Sequence, residues 1–294
     1  LFENKLKEPW KLPRGAPTES ADVPDNRYGD GIIADEAAKR LAGAKSKPDE
    51  PFFLAVGFLK PHLPFVAPKK YWDLYDPAAF KLAELQKAPE GAPDFAPTTW
   101  GELRQYKDMP EKGPVTPEQA RHLIHGYYAA TSYMDAQLGK VLDALDANGL
   151  AENTIIVLWG DHGYHLGETG LFTKMTNFEQ GTRVPLLVSH PGMKTAGKRT
   201  RALVELVDLY PTLASVCSLP LPPRLEGTSF APLLEEPDQP WKKAVFSQYL
   251  RSIGYDATAE STEFGSEEGN EPRDHLANSP VTGTMQDAPV KNEP

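Results

Sequence analysis

The apolar positions fall into two rhythms. Ile32 to Leu41 (Ile-Ile-Ala-Asp-Glu-Ala-Ala-Lys-Arg-Leu) has helical spacing and good helix formers. Phe52-Phe-Leu-Ala-Val-Gly-Phe58 is continuously apolar, as a strand covered on both faces would be. A marked helix begins at Thr116-Pro117-Glu118-Gln119, which supplies an N-cap, a proline at the first helical position and a capping-box glutamine. Ala120, Leu123, Ile124, Tyr127, Thr131, Met134, Leu138, Val141 and Leu145 then share one face, and Asn148-Gly149 ends the helix. Thr154–Trp159 and Val184–Ser189 read as two further buried strands. A helix leading into an apolar strand, repeated, predicts an α/β fold: a large, mostly parallel sheet with helices on both faces.

The polar stretches set the limits of that domain. Residues 8–27 contain four prolines and many polar side chains, so residues 1–26 are expected to form an extended connection and 27–255 the domain. The proline-rich run 88–117 has no sustained period and reads as a long surface loop, a kind of segment that often carries function. Residues 256–294 hold nine acidic and two basic side chains and one aromatic, Phe264, so an acidic, poorly packed tail is expected there.

Composition excludes several classes. With 31 basic and 41 acidic residues the net charge is −10, which argues against nucleic acid as the main ligand but leaves room for a local anion pocket. The single cysteine, Cys217, rules out an internal disulfide framework and sits in an apolar helical stretch, where a buried thiol is the ordinary reading. No run approaches the ~20 apolar residues that span a bilayer. The first residues have no signal-peptide architecture, and the chain starts without methionine, as a fragment or processed product would.

Two clusters carry candidate chemistry. Asp161-His162-Gly163 follows the 154–159 strand through Gly160, outside its carboxyl end, where open α/β sheets bind ligands. Asp161 and His162 are either metal ligands or caps of the next turn. The segment from Tyr164-His165 to Glu179 is dense in glycine and polar groups, and its Lys174 either places an ammonium over an anion or is simply solvated. Lys60-Pro61-His62-Leu63-Pro64-Phe65 forms the second cluster. Two prolines and apolar neighbours would hold the His62 imidazole as a general acid is held, or as a satisfied histidine beside a core.

Taken in order, Pro51 to Phe65, the Tyr127 to Leu145 helix, Asp161-His162-Gly163 through Lys174-Met-Thr-Asn177-Phe178, Arg183-Val-Pro185 and Val207-Asp208-Leu-Tyr-Pro211-Thr212-Leu213 resemble the type I sulfatases of the alkaline-phosphatase superfamily. The pattern is that of the iduronate-2-sulfatase branch and its bacterial relatives, over roughly residues 27 to 255. The resemblance implies one calcium ion, held in part by Asp161 and His162 as the late pair of ligands, and a formylglycine nucleophile. It implies that His62 contacts sulfate and protonates the leaving oxygen, and that Lys174 binds sulfate. Lys60, Tyr164 and His165 are expected to face the substrate, a sulfated carbohydrate or other sulfate ester. A secreted, periplasmic or lysosomal location follows from the same likeness.

The sequence departs from the family in two ways. No Cys-x-Pro-x-Arg or Cys-x-Ala-x-Arg motif and no early Asp-Asp pair occurs in the 294 residues, so the chain as written is expected not to turn over a sulfate ester, the nucleophile being expected from an upstream segment. After Tyr255 the acidic tail stands where the family continues into a small C-terminal sheet, so that subdomain is expected to be truncated. Two rivals stay open: a phosphate-ester hydrolase of the same superfamily, with two transition metals and a serine or threonine nucleophile, and a non-catalytic anion- or glycan-binding homologue.

Overall fold

The computed structural model describes residues 15–98, 102–111 and 113–249. The acidic tail and the continuation past Tyr249 lie outside them.

The long helix α3, Pro117–Ala147, is the spine, and its start follows from local chemistry. Thr116 Oγ1 accepts from the Gln119 backbone N–H at 3.1 Å, and Gln119 Oε1 accepts from the Thr116 N–H at 2.9 Å. The capping box therefore satisfies two of the donors that a helix start leaves open. Gly149 ends the helix in the left-handed region at φ 69°.

The buried stripe of α3 agrees with the expected face at Ala120, Leu123, Ile124 and Leu145, but between them it runs through Gly126, Ala129, Ala130, Tyr133 and Gln137. Small side chains explain the rotation. A Cβ on Gly126 would lie 3.0 Å from Phe65, Thr18 and Trp72 side-chain atoms, so the bare backbone is what lets the helix settle on the strand beneath it. Met134, Leu138 and Val141 are half-buried instead.

Helix α1, Gly29–Lys45, packs on α3 through Ala34, Ala37 and Leu41. Its Gly31 N–H donates to Tyr133 Oη at 2.6 Å, tying the two helices at a buried point. Strand β1, Thr18–Ala21, pairs in parallel with β2, Phe65–Pro68, in the register Thr18↔Phe65 to Ala21↔Pro68. The connection expected over 1–26 thus contributes a strand of the domain, because β2 is buried along its whole length and takes a partner there. A short helix α2, Lys69–Trp72, follows β2 and adds Tyr71 and Trp72 to the core under α3.

Strands β3, Ile156–Trp159, and β4, Leu186–Ser189, occur where the apolar runs placed them, but they pair antiparallel, Ile156 opposite Ser189 and Trp159 opposite Leu186. Between them lie a long loop and only the four-residue helix α4, Glu179–Thr182, too little for the crossover that a parallel pair needs. Phe52 to Phe58, expected as a strand, joins no ladder among the described residues, and Phe53 is 87 % exposed. Apolarity marks a segment that gains from burial; a strand forms only where a neighbour supplies the other half of the hydrogen bonds. Helices α5, Leu209–Val216, and α6, Ala231–Glu235, pack together. Their approach is fixed by buried Asp208, which accepts from Thr228 N–H at 2.7 Å and from the Lys242 ammonium. Cys217, expected to be buried, is exposed at the end of α5.

Candidate active site

One apolar cluster organises the site. Leu63, Phe65, Leu103, Tyr106 and Leu123 are buried together, with Tyr127, Tyr164 and Phe172 packed against them. Leu63 adjoins His62, Leu103 adjoins Glu102, and Tyr164 and Phe172 each stand two residues from His162 and Lys174. Burying these side chains brings segments distant in sequence to one place, with their polar neighbours at its edge.

The His62 loop is shaped from behind. Asp30, in the first turn of α1 and 1 % exposed, accepts from the Leu59 and Lys60 N–H groups, both at 2.9 Å. The Lys60 ammonium donates to the carbonyls of His62 and Pro64, both at 2.8 Å. Lys60 was expected on the substrate; its charge is turned onto its own loop. Burial pushes its pKa down to about 8, against the opposing pull of Asp30.

His62 Nδ1 lies 2.7 Å from the Leu63 carbonyl, which can only accept, so Nδ1 carries the proton and Nε2 carries the lone pair. Lys174 Nζ donates to that Nε2 at 2.6 Å and to Glu102 Oε2 at 2.8 Å. Glu102 Oε1 is 3.7 Å from His62 Nε2. Lys174 and Glu102 are almost fully enclosed, whereas the His62 side chain is 40 % exposed and so keeps an open edge. Burial holds the His62 pKa below that of an ordinary histidine and Lys174 lowers it further, while the Leu63 carbonyl and Glu102 pull upward.

Facing this group is the Asp161–His162 turn, with the His62 and His162 rings 6.4 Å apart between centroids. His162 N–H donates to Asp161 Oδ1 at 2.9 Å, and His162 Nδ1 donates to the Gly163 carbonyl at 2.8 Å. In the neutral ring that bond sets the tautomer with the lone pair on Nε2, which lies 3.8 Å from Asp161 Oδ2. The Asp161 side chain is 85 % exposed, so a carboxylate oxygen and an imidazole lone pair lie side by side on an accessible face. This donor pair fits a metal ion whose remaining ligands come from other groups. Among the described residues no set of three or more His, Cys, Asp or Glu closes around one.

The turn is pinned by glycine. Gly163 N–H donates to the Gly181 carbonyl at 3.0 Å, and a Cβ on Gly163 would lie 2.0 Å from the Gln180 carbonyl oxygen. Gly163→Ala is therefore expected to cost about 1–3 kcal/mol through forced backbone displacement, read as a lowered melting temperature.

Tyr164 and His165 were expected to face substrate, and the structure turns both inward. Tyr164 stacks on Tyr127 at 5.9 Å and donates its hydroxyl to the Phe172 carbonyl at 3.0 Å; burial raises its pKa well above the usual range. His165 is fully buried, its Nδ1 donating to the Glu168 carbonyl at 3.2 Å and its Nε2 accepting from Thr176 Oγ1 at 2.9 Å. Satisfied ring nitrogens in the interior hold the 165–176 loop together rather than reach a ligand.

Burial lowers the pKa of His62, His122 and His165 from the ordinary 6.5. Below that value the unfolded chain binds protons that the folded chain does not. The stability from these groups is fully present above about pH 6.5 and is lost as the pH falls through their lowered folded values. The melting temperature is expected to drop as the pH falls below about 6.5, with a shallower slope for His165→Asn.

Glu102 escaped the sequence reading because a single acid in a proline-rich loop carries no motif. The one available signal was the apolar pair Leu103 and Tyr106 at helical spacing, which marks a turn anchored in a core.

Comparison with known proteins identifies the family. The residue profile of the sulfatase family matches residues 2–218. Iduronate 2-sulfatase of Mus musculus is 36 % identical over 81 % of this chain and 52 % of its own length. A sulfatase of Formosa agariphila is 37 % identical over 64 % of this chain and 36 % of its own. Among solved structures, a phosphonate monoester hydrolase from Silicibacter pomeroyi superposes with a TM-score of 0.63 at 27 % identity, over 72 % of this chain and 42 % of that one. The chain spans about half the length of the mouse relative. Its fold is the α/β fold of the alkaline-phosphatase-like superfamily, and within it the chain belongs to the sulfatase family.

Proposed function

We propose that this chain forms the metal-binding and leaving-group side of an iduronate-2-sulfatase-like sulfuric ester hydrolase acting on a sulfated sugar or polysaccharide. The observation that carries the reading is the convergence of His62, Lys174 and the Asp161–His162 pair, drawn from three segments, around one accessible face. Lys174 would bind a sulfate oxygen and offset the charge that spreads over the sulfate as the ester bond breaks. His62, held by the Leu63 carbonyl through Nδ1, would carry a proton on Nε2 and give it to the departing sugar oxygen. The negative charge of a bound ester opposes the burial that lowers the His62 pKa, so substrate itself favours the protonated ring.

Asp161 and His162 would hold one calcium ion, which when bound supplies positive charge to the sulfate oxygens. The attacking hydroxyl belongs to a formylglycine outside these residues. The family reading allows a secreted, periplasmic or lysosomal location, and an acidic compartment would favour the protonated imidazole. Among the described residues no helix is long and apolar enough to cross a membrane.

A second reading, a phosphate- or phosphonate-ester hydrolase, is favoured by the likeness to the Silicibacter pomeroyi enzyme. Assay of the longest natural chain containing these residues separates the two. The sulfatase reading expects hydrolysis of sugar sulfates and p-nitrophenyl sulfate, with a single bound calcium by elemental analysis. Preference for phosphonate esters with a pair of bound zinc ions would overturn it.

A further inference from the structure

Glu102 lies outside every motif that identifies the family, yet it makes the closest ionic contact in the site. Its Oε2 is 2.8 Å from Lys174 Nζ and its Oε1 is 3.7 Å from His62 Nε2, with its side chain 10 % and that of Lys174 8 % exposed. The backbone carrying it is anchored by Leu103 and Tyr106, buried in the cluster beneath the site, and Arg104 donates to the Pro110 and Gly113 carbonyls, which braces the same loop. The carboxylate is thus presented at a fixed place by packing.

We propose that Glu102 is a positioning residue for sulfate-ester cleavage: it holds the Lys174 ammonium at the His62 ring edge and supplies the countercharge that lets the two cationic groups act side by side. This rests on the sulfatase reading. Lys174 donates to the Nε2 lone pair of neutral His62 at 2.6 Å; once that nitrogen takes up the proton it is to give to the leaving oxygen, two cations stand side by side and repel. A buried lysine without a partner would lose its charge or leave the site. Glu102 touches Lys174 directly and stands just beyond hydrogen-bond reach of His62, so it acts on the first by contact and on the second by charge alone. A surface lysine–glutamate pair could do neither, since water would screen it.

The contact and its consequence are tested separately. Acylation of lysines by acetic anhydride, read by peptide mass spectrometry on the full chain with exposed Lys39 as the internal standard, reports how Lys174 is held. Glu102→Gln is expected to raise Lys174 labelling several-fold, and Glu102→Asp to restore most of the protection. Kinetics on the longest natural chain are expected to show Glu102→Gln lowering kcat roughly tenfold to a hundredfold with KM little changed. Glu102→Asp recovers part of that loss, and Glu102→Gln adds little once Lys174→Ala is present, since the two act as a unit. Unchanged labelling in Glu102→Gln would overturn the inference whatever the activity. So would additive losses in the double variant, or a melting temperature that falls in step with kcat in both Glu102 variants. If the unsubstituted protein cleaves no sulfate ester, the sulfatase reading fails and the catalytic part of the inference with it, while the labelling still decides the contact.

Discussion

His62→Ala is expected to slow cleavage of sugar sulfates by on the order of a hundredfold or more while leaving p-nitrophenyl sulfate nearly untouched. An alkoxide is a poor leaving group and needs a proton as it departs; a nitrophenoxide leaves without one. Nδ1 is committed to the Leu63 carbonyl at 2.7 Å, so only Nε2 can serve the leaving oxygen, and Lys174, which donates to it at 2.6 Å, must turn to the sulfate when it does. A merely structural histidine would give a different pattern, with both substrates losing rate alike and stability falling by about 1–3 kcal/mol. Paired assays on the two substrates with a melting curve of the variant decide between them. Equal losses would remove His62 as the acid.

Lys174→Ala is expected to lower the rate on both substrates by roughly two to three powers of ten, because charge on the transferring sulfate must be offset whatever the leaving group. The ammonium is held in advance by Glu102, a contact that does not depend on the protonation of His62, so little reorganisation accompanies the reaction. Removing it also leaves Glu102 enclosed with one cationic partner gone, which raises the cost beyond the lost contact itself. The two variants therefore separate by substrate: loss of His62 discriminates between leaving groups and loss of Lys174 does not. An unchanged rate in Lys174→Ala would take this side chain out of the chemistry.

What could be read from the sequence was what local chemistry decides. The capping box of α3 and the glycine stop are written in adjacent residues, and the apolar runs of β3 and β4 mark where strands form. The burial expected of those strands is not found: their side chains are half-buried or exposed, Trp159 and Leu187 among the latter. His62, Asp161, His162 and Lys174, singled out from motif order, lie near one another in the structure, Lys174 against His62, the His62 and His162 rings 6.4 Å apart and Asp161 beside His162. Strand direction was not legible, since whether β3 and β4 run parallel depends on what the intervening 26 residues do as a unit. The inward turn of Tyr164 and His165 was hidden for a related reason: side chains next to the Asp161–His162 turn point wherever the loop's own hydrogen bonds send them, here to Phe172, Glu168 and Thr176. The stripe of α3 turned because Gly126, Ala129 and Ala130, silent in a hydrophobic pattern, are the positions that admit close packing.

The most direct measurement is the position of calcium and sulfate in crystals of the longest natural chain containing these residues, with the metal identified by its anomalous scattering. The account predicts one calcium bound by an Asp161 carboxylate oxygen and His162 Nε2, with a sulfate oxygen within hydrogen-bond reach of Lys174 Nζ and His62 Nε2 on the same face. Calcium bound elsewhere, or sulfate remote from Lys174 and His62 while Asp161 and His162 remain free, would contradict it.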